Sequence, residues 1–384
     1  MADLRRLATY PPRQRAVTLP CQGSARTLAV GEGSGRMNDK LTSFDIAQRA
    51  GVSQPTVSRA LRGDPTVNEA TRKRIEAIAT QFNYKVDKNA SSLRRRHSNT
   101  LALLFFEDPT PDDSLINPFF LSMFGSIART CSLRGYDLLT SFQQLSANWH
   151  VDYEDSRKAD GIILLGYGDY EDYRARLVQL DLQGTHFVRW GSVQPGQPGA
   201  TIGCDNRRGG EEAARHLLGL GRQSIAFLGT ASSHSPEFDD RYQGACAAMR
   251  EAGLVPDPAL QADAISTEAS GHAAAVALLQ RGIAFDAIFA ASDLIAVGAM
   301  RALSDAGLAV PDDVSIVGFD DIPAASLSHP PLTTIAQDYA RAGEMLVDTL
   351  LRRIRAQPAE TRMLAPRLIV RRSTAPAALA AMRP

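Results

Sequence analysis

The chain has 384 residues, so two or three domains are expected. Its apolar content of 44% is typical of globular proteins, and no run of about 18 apolar residues predicts a membrane-spanning helix. The four cysteines lie far apart without a CxxC pair, which argues against a zinc site or disulfide framework and favours reduced thiols.

The formal net charge is zero, but the charge is distributed unevenly. Residues 1–98 carry 18 basic against 8 acidic residues, which leaves 24 basic against 34 acidic residues in the rest of the chain. A basic head on an acidic body indicates a module that binds a polyanion, joined to one that does not. Within the head, residues 1–40 show no sustained hydrophobic period and are predicted to form a disordered basic arm without a secretory signal.

Two short helices joined by a tight turn are predicted in residues 41–61. Thr42 and Asp45 form a predicted capping box for the first helix, and Gly51 supplies the turn that ends it. Ser53 is the predicted N-cap of the second helix, which opens on Gln54 and a proline. The pattern indicates a helix-turn-helix; an ordinary helical hairpin is the alternative on this stretch alone.

The second helix has a predicted buried side, formed by Val57, Ala60 and Leu61. Polar side chains occupy its other face, where they can reach base edges and phosphates from a major groove. They are Gln54, Thr56, Ser58 and Arg59.

A third helix is predicted from its N-cap, Asn68, to Phe82. Its apolar residues fall on one helical face, while three basic residues point away from that face. The basic residues are Arg72, Lys73 and Arg74.

From Leu101 onward, continuous apolar runs alternate with helical stretches, which is typical of parallel strands covered on both faces. The predicted strands span 101–106, 136–142, 160–167, 185–191, 224–229, 287–292 and 315–319. The predicted helices span 119–133, 207–220, 241–252, 271–280 and 294–306. This series predicts an α/β fold with two doubly wound parallel sheets, whose ligands collect beyond the carboxyl ends of the strands.

Enzyme signatures are absent from the sequence. No HExxH, GxSxG or GxxxxGK[ST] pattern occurs, and the adjacent Asp320 and Asp321 should diverge at a strand end. We therefore expect no catalytic residue, no metal ligand and no cofactor.

Distinctive motifs recur along the chain: AGVSQPTVSRAL at 50–61, NPFF at 117–120, DGIIL at 160–164, CDN at 204–206, RYQG at 241–244, ASDLIAVGAMRAL at 291–303, VSIVGFDDI at 314–322 and PPLTTIAQDY at 330–339. Taken in order, these motifs resemble the lactose-repressor (LacI/GalR) family of bacterial transcription regulators. The resemblance covers residues 41–374.

The resemblance implies a helix-turn-helix domain, a hinge helix and a two-lobed core like that of periplasmic sugar-binding proteins. The implied bounds are 41–86 for the helix-turn-helix, 87–98 for the hinge and linker, 99–374 for the core and 375–384 for a tail. The N-lobe is expected at 99–203 and 335–362, and the C-lobe at 204–334 and 363–374. The tail is too short for a heptad repeat, so a homodimer is expected.

Family members begin a few residues before the first helix, where Met37 stands in this chain. The residues upstream of Met37 are thus either an extension that is not translated or part of a translated arm, and such an arm could contact DNA.

Family positions for reading bases fall on Gln54, Pro55 and Arg59, with Thr56, Ser58 and Asn68 as further DNA contacts. Pro55 departs from the more usual polar residue, so it can offer only shape and apolar contact. In the hinge, Leu93 takes the place of an apolar wedge in the minor groove, and Arg94 that of a phosphate contact.

For a small-molecule effector, the resemblance implies that Arg241 and Asp320 are polar anchors, Ser292 a polar contact and Tyr339 an aromatic wall. A guanidinium, a carboxylate and aromatic faces suit a hydroxylated ring. Asp293 belongs to the same set, with a helix N-cap as its alternative role. Without the resemblance, a surface ion pair with Asp239 or Asp240 is the simpler role for Arg241.

Aromatic residues that could stack on the effector are Phe119, Phe120, Tyr167 and Trp190. Phe119 and Phe120 are equally suited to a core, whereas Trp190 is expected to shape specificity. The implied function is that of a cytoplasmic repressor that binds a pseudo-palindromic operator and is released by a small carbohydrate. The alternatives are a nucleobase or other corepressor as ligand, and a solute-binding protein without a DNA role.

Overall fold

The computed structural model describes residues 42–61, 63–82, 84, 97–107, 115–166 and 168–376. The chain divides into two units, Met1–Val86 and Asp87–Pro384. The predicted arm at 1–40, most of the predicted hinge with Leu93 and Arg94, and Tyr167 lie outside the described residues. In the described part of the chain, no helix is long and apolar enough to cross a membrane.

Over residues 42–84, where the structure describes the first unit, three short helices are present: α1 (Ser43–Ala50), α2 (Gln54–Ala60) and α3 (Glu69–Gln81). The predicted capping box is confirmed, since Thr42 N donates to Asp45 Oδ2 at 2.7 Å and Asp45 N donates to Thr42 Oγ1 at 3.4 Å. Gly51 ends α1 with φ 61°, the left-handed conformation that a β-carbon would resist.

Helices this short are marginal alone, so the first unit depends on one shared apolar cluster. Its buried members are Ile46, Ala47, Ala50, Val57, Ala60, Val67 and Ile75. Ser53 occupies the predicted N-cap position of α2, but its hydroxyl bonds that of Thr56 at 2.8 Å and makes no cap to the backbone. One prediction of local structure is wrong. Arg72 does not point away, because its Nη2 donates to the carbonyls of Asp64 at 2.8 Å and Val67 at 3.2 Å.

The first lobe of the second unit is a six-stranded parallel sheet in the order β11-β5-β4-β3-β1-β2. Its strands are β1 (Thr100–Phe105), β2 (Asp137–Phe142), β3 (Ile162–Leu165), β4 (Phe187–Trp190), β5 (Ala200–Cys204) and β11 (Arg362–Leu364). Its helices are α4 (Pro118–Leu133) and α5 (Tyr170–Leu182), with a 3-10 turn at Gln143–Leu145 and a π-helical turn at His150–Asp155.

The second lobe has the sheet order β12-β10-β9-β8-β6-β7, and only β12 runs antiparallel to its neighbour. Its strands are β6 (Ile225–Leu228), β7 (Gln261–Ala262), β8 (Ala287–Ala290), β9 (Ser315–Asp320), β10 (Thr333–Ala336) and β12 (Arg367–Ile369). Its helices are α6 (Asn206–Gly219), α7 (Pro236–Glu251), α8 (Glu268–Gln280), α9 (Asp293–Asp305) and α10 (Pro323–Leu327), with a 3-10 turn at Pro258–Leu260.

The chain crosses between the lobes three times: after β5, after β10 and after β11. After β10 it enters α11 (Tyr339–Ile354), which packs against α4 of the first lobe. Two predicted lobe boundaries shift slightly as a result. Residues 335–336 belong to the second sheet as part of β10, and residues 363–364 to the first sheet as part of β11. The predicted start of α7 at Arg241 is also wrong, since that helix begins at Pro236.

Successive residues of a strand face opposite sides of its sheet, and β1 shows this clearly. Leu101 and Leu103 pack in the cluster that includes α4, whereas Ala102 and Leu104 pack in a second cluster with α5. The first lobe is therefore covered by α4 on one side and α5 on the other.

Glycines allow α6 and α7 of the second lobe to pack very closely. A β-carbon at Gly210 would overlap the carbonyl oxygen of Arg241, and one at Gly244 would overlap that of Arg207. Since α6 begins directly after the first crossover, this contact joins α7 firmly to the connection between the lobes.

Arg222 is a buried cation, 2% exposed. It donates to main-chain carbonyls of Pro311 at 2.8 Å and of Asp312, Asp313 and Ala375 at 3.3 Å. The residue thus fixes the end of the described chain to the loop before β9.

Replacing Arg222 with methionine is expected to destabilise the second unit, because buried carbonyls lose a charged donor. The expected loss is about 3 kcal/mol of unfolding free energy, or roughly 6–12 °C in melting temperature. The measurement is thermal unfolding followed by circular dichroism. As a control, Arg208→Met removes an exposed arginine paired with Glu212, and should change the melting temperature little. Equal melting temperatures for both variants would contradict the assigned role.

Candidate functional site

The outward face of α2 carries the residues predicted to read DNA. Val57 and Ala60 anchor the helix in the core of the first unit, which leaves Pro55 and Arg59 exposed. Gln54, Thr56 and Ser58 are half-buried, and Gln54 Nε2 donates to Ser43 Oγ at 3.1 Å. This face of α2 thus presents the exposed guanidinium of Arg59 and the rigid apolar ring of Pro55. The amide of Gln54 and the hydroxyls of Thr56 and Ser58 lie beside them.

Asn68 is placed by α3 rather than by α2. Its Oδ1 accepts a hydrogen bond from Thr71 N at 2.8 Å, which caps the third helix as predicted. The cap accounts for Asn68 structurally. Its contact with DNA stays a prediction.

Arg241 lies in α7 of the second lobe and is completely buried. Its Nε donates to Asn206 Oδ1 at 2.9 Å, its Nη1 donates to the carbonyl of Ala291, and its guanidinium lies 3.7 Å from the centre of the Phe319 ring. The alternative of a surface ion pair with Asp239 or Asp240 is therefore wrong.

Asp320 ends β9 and faces the same guanidinium, with 3.9 Å between its Oδ1 and Arg241 Nη1. Gln337 Nε2 donates to this carboxylate at 2.6 Å. Burial raises the pKa of Asp320 to about 6, although Arg241 and Gln337 act in the opposite direction. The pair forms a polar centre where a cation and a titratable carboxylate converge.

Asp293 is also buried, but its contacts point into the lobe. Thr334 Oγ1 donates to it at 2.5 Å and Ile322 N at 2.9 Å. Its pKa lies well above the ordinary value, chiefly through burial and then through repulsion from Asp320. The N-cap of α9 is Ser292, so the alternative role of Asp293 as N-cap is wrong.

Ser292 joins the two lobes through a hydrogen-bonded chain. Asn117 Nδ2, at the start of α4 in the first lobe, donates to Ser266 Oγ at 3.0 Å. Ser266 Oγ in turn donates to Ser292 Oγ at 2.9 Å, at the end of β8 in the second lobe. Ser292, which was predicted to be a polar contact of the effector, therefore already takes part in a hydrogen-bonded bridge between the lobes.

Trp190 and Phe119 form an aromatic pair in the first lobe. They are 2% and 1% exposed, with ring centres 5.8 Å apart, and Phe120 lies 5.3 Å from Phe119. Tyr339, the first residue of α11, is 40% exposed. Of the three predicted aromatic contacts, Trp190 and Phe119 are thus buried against each other, whereas Tyr339 is exposed to solvent.

A second bridge between the lobes lies on the side of α5. Ser192, after β4, donates from N to Glu237 Oε1 and from Oγ to Asp240 Oδ2, both at 2.7 Å. His234 Nδ1 lies 2.8 Å from Asp169 Oδ2, and Tyr170 N donates to the carbonyl of His234 at 2.9 Å. The short segment that carries His234, Glu237 and Asp240 therefore holds the first lobe at several points.

Several residues of the cleft were not predicted as site residues. They are Asn117, Ser192, Asn206, Glu237, Asp240, Ser266 and Gln337. Asn206 and Gln337 directly hold Arg241 and Asp320, and both lie in motifs quoted for the resemblance, CDN and PPLTTIAQDY. The sequence could have indicated both residues, because each is polar and lies just after the end of a strand. Among the described residues, no group of three or more His, Cys, Asp or Glu is placed to hold a metal.

Known proteins match both parts of the chain. Residues 44–87 match the family described as bacterial regulatory proteins, lacI family, and residues 214–374 match the periplasmic binding protein-like domain. The chain is 32% identical over 343 residues to the HTH-type transcriptional regulator DegA of Bacillus subtilis (strain 168), which covers 88% of this chain and 99% of the relative. It is 31% identical over 318 residues to the ribose operon repressor of Escherichia coli (strain K12), covering 82% and 93%.

Solved structures also match most of the chain. The Lac repressor dimer bound to operator and the anti-inducer ONPF matches with a TM-score of 0.76 and 26% identity, covering 88% of this chain and all of that one. A complex of the transcriptional regulator CelR with cellobiose matches with a TM-score of 0.64 and 29% identity, covering 87% and 99%.

Proposed function

The chain belongs to the LacI family of bacterial transcription regulators, and we propose that it is a cytoplasmic, dimeric repressor that releases its operator when a small carbohydrate binds between its lobes. It is a DNA-binding regulator rather than an enzyme. The observation that carries the proposal is the joining, in one chain, of the exposed face of α2 with a two-lobed core that buries Arg241 beside Asp320.

The proposed DNA contacts are on α2, α3 and the hinge. Arg59 pairs with guanine or holds a phosphate, and Pro55 offers an apolar surface to a thymine methyl. The other proposed contacts are Gln54, Thr56, Ser58, Asn68, Leu93 and Arg94. Two copies of α2 in a dimer would enter successive major grooves, which accounts for a pseudo-palindromic operator.

The proposed effector site is the cleft between the lobes, with the polar centre of Arg241 and Asp320 on its second-lobe side. Arg241 donates to sugar hydroxyls and Asp320 accepts from them, while Ser292 and Asp293 complete the polar side. Phe119, Trp190 and Tyr339 supply aromatic surface. A ligand held from both lobes favours their closed arrangement, and the hinge responds through the relative position of the two first lobes in the dimer.

The pair formed by His234 and Asp169 predicts a pH dependence of effector binding. Hydrogen bonding to Asp169 raises the pKa of His234, and the same contact lowers the pKa of Asp169. Glu171 and Asp172 also attract the imidazolium. The ion pair between His234 and Asp169 is fully formed below the ordinary histidine pKa of about 6.5, where His234 is protonated. It weakens as pH rises through the raised pKa of His234. At low pH it is lost only when pH falls through the lowered pKa of Asp169, where that carboxylate becomes protonated.

We therefore expect effector affinity to fall as pH rises through the pKa of His234, by less than about fivefold because both groups are exposed. Calorimetric titration at a series of pH values measures this fall. His234→Gln should remove this fall, whereas His272→Gln, which removes a histidine paired within the second lobe, should not. A wild-type profile without a fall would disprove the bridge's contribution.

The function is tested by titrating operator DNA, selected from a random library, against the full-length chain with and without sugars. Release of DNA by a sugar supports the proposal. Tighter operator binding on adding a nucleobase would replace it with the corepressor alternative. Absence of any sequence-selective DNA binding would refute the repressor assignment.

A further inference from the structure

A cavity lies at the edge of the first lobe, apart from the residues proposed to bind the effector. Its volume is about 300 Å³, at the lower end of the range for small-molecule sites. Asp181 lines it from the last turn of α5, and Arg353 lines it from the last turn of α11. Gly184, Thr185 and His186, in the loop before β4, complete most of the wall. The cavity is therefore large enough for a small ligand.

The cavity is at the opposite end of the first sheet from the effector cleft. Thr185 and His186 directly precede β4, whose last residue is Trp190. The carbonyl of His186 accepts a hydrogen bond at 2.8 Å from the N of Ile162, the first residue of β3. Because β3 and β4 are parallel, both strands begin at this edge and end at the other, where the ligands of such sheets collect. A ligand in this cavity would thus occupy a site separate from that of the effector.

Arg353 contributes a guanidinium with few contacts of its own. Among the residues that the structure describes, its Nε is buried and has no hydrogen-bond partner. Its Nη2 lies 3.9 Å from Asp181 Oδ1, too far for a hydrogen bond, and its Cζ lies 5.5 Å from the centre of the Phe187 ring. A buried donor without a partner is unfavourable, so an acceptor that reached this guanidinium would stabilise the protein.

His186 contributes a second donor. Its Nδ1 lies 3.0 Å from Glu154 Oε1, to which its backbone N donates at 2.8 Å, so its Nε2 is the ring nitrogen that remains for a ligand. The hydrogen bond with Glu154 raises the pKa of His186, whereas burial and the positive charge of Arg353 act in the opposite direction. Arg353 and the imidazolium therefore repel each other, and an anion between them would relieve this repulsion.

The carboxylates around the cavity oppose an anion only weakly. Glu154 is already bonded to His186, and Asp160 accepts hydrogen bonds from two backbone amides at 2.5 and 2.9 Å. Asp181 is 52% exposed, so solvent screens its charge. Asp181 is the carboxylate whose removal should favour an anion most, because it lines the cavity itself.

The carboxyl ends of α5 and α11 also meet at the cavity, and such helix ends disfavour an anion. Carbonyls in both last turns already accept hydrogen bonds from the turns that follow. Asp181 O accepts from Gly184 N at 3.0 Å, and Arg353 O accepts from Ala356 N at 2.9 Å. These bonds reduce the partial negative charge that the helix ends present to a ligand.

We propose that this cavity is a second ligand site, which binds a small oxyanion through Arg353 and His186. A guanidinium and an imidazole N–H are donors suited to the oxygens of a phosphate or a carboxylate. The proposal is independent of the carbohydrate effector and of operator binding, because it concerns a different part of the first lobe.

The test is calorimetric titration of the full-length protein with sodium phosphate and, separately, with citrate, at an ionic strength kept constant with sodium chloride. Saturable binding of phosphate supports a phosphate-bearing ligand, and saturable binding of citrate alone supports a carboxylate ligand. Binding of neither probe would overturn the proposal. The variant Arg241→Met should still bind the probe; loss of binding there would place the anion in the effector cleft and also overturn the proposal.

Arg353→Met should weaken binding of the probe at least about tenfold, because it removes a charged donor. The matched control is Arg352→Met, which removes the neighbouring exposed arginine, outside the cavity lining, and should leave the affinity unchanged. Asp181→Asn should tighten binding about two- to fivefold, because it removes the opposing charge of the lining.

His186→Leu tests the second donor without altering α11, and it too should weaken binding of the probe. Circular dichroism melts establish which variants are folded. If Arg353→Met does not fold, His186→Leu and Asp181→Asn still test the site, with opposite expected effects on affinity. Wild-type affinity in every folded variant of Arg353, His186 and Asp181 would overturn the assignment of the cavity.

Discussion

Replacing Arg241 with methionine should leave operator binding intact and remove the response to the effector. The substitution deletes a buried guanidinium that bonds Asn206 and Ala291 and faces Asp320. Hydrogen bonds from a charged donor contribute about 1.5–3 kcal/mol each, so losing two to a sugar should weaken effector binding roughly 100-fold or more. The α2 surface is in the other unit of the chain and retains its residues.

The measurement is a pair of titrations, of effector by calorimetry and of operator by fluorescence anisotropy. Arg250→Met is the matched control, because Arg250 is exposed on the same helix. Arg241→Lys keeps the charge but loses the planar fork of donors, so its effector affinity should lie between wild type and methionine. If Arg241→Met is folded and still releases operator at the wild-type effector concentration, Arg241 is not an anchor.

Arg59→Ala should weaken operator binding about 5- to 150-fold, the range given by the 1–3 kcal/mol of a bidentate contact to a base. Arg59 is exposed on α2, while the adjacent Ala60 is buried, so truncation removes a DNA contact without opening the core. Effector affinity should stay unchanged.

Anisotropy titrations with operator and with unrelated DNA separate the two roles of Arg59. A contact with a base lowers affinity for operator only, whereas a phosphate contact lowers both affinities and reduces the salt dependence. Arg74→Ala removes the same charge from an exposed position on α3 and serves as control. Unchanged affinity for both DNAs in the Arg59→Ala variant would exclude Arg59 from the interface.

The first unit was predictable because its signals are local. Thr42 and Asp45 are three positions apart and Gly51 ends the helix, so neighbouring residues determine where α1 begins and ends. The seven predicted strands were recognisable for the same reason, because each lies in a continuous apolar run. Strands β5 and β10 were missed because ATIGC and TTIA are only weakly apolar, and they become strands by pairing with distant neighbours. Helix α5 was missed because charged residues obscure its buried Leu177 and Leu180.

The geometry of the candidate site was harder to predict from the sequence, because its hydrogen bonds join residues that lie far apart in the chain. Arg241 follows two aspartates, which locally favours a surface ion pair. Its hydrogen-bond partners Asn206 and Ala291 instead lie 35 and 50 positions away along the chain. The resemblance identified Arg241 and Asp320, but the bridges between Asn117 and Ser266 and between Ser192 and Glu237 required the two lobes to be placed together.

The glycine contacts between α6 and α7 make the mounting of Arg241 mechanically stiff. With Gly210 against the backbone of Arg241 and Gly244 against that of Arg207, no side chain lies between the two helix backbones at these two points. A ligand that displaces the Arg241 guanidinium is therefore expected to shift α6 together with α7. Because α6 begins directly after the first crossover, that shift would reach the connection between the lobes.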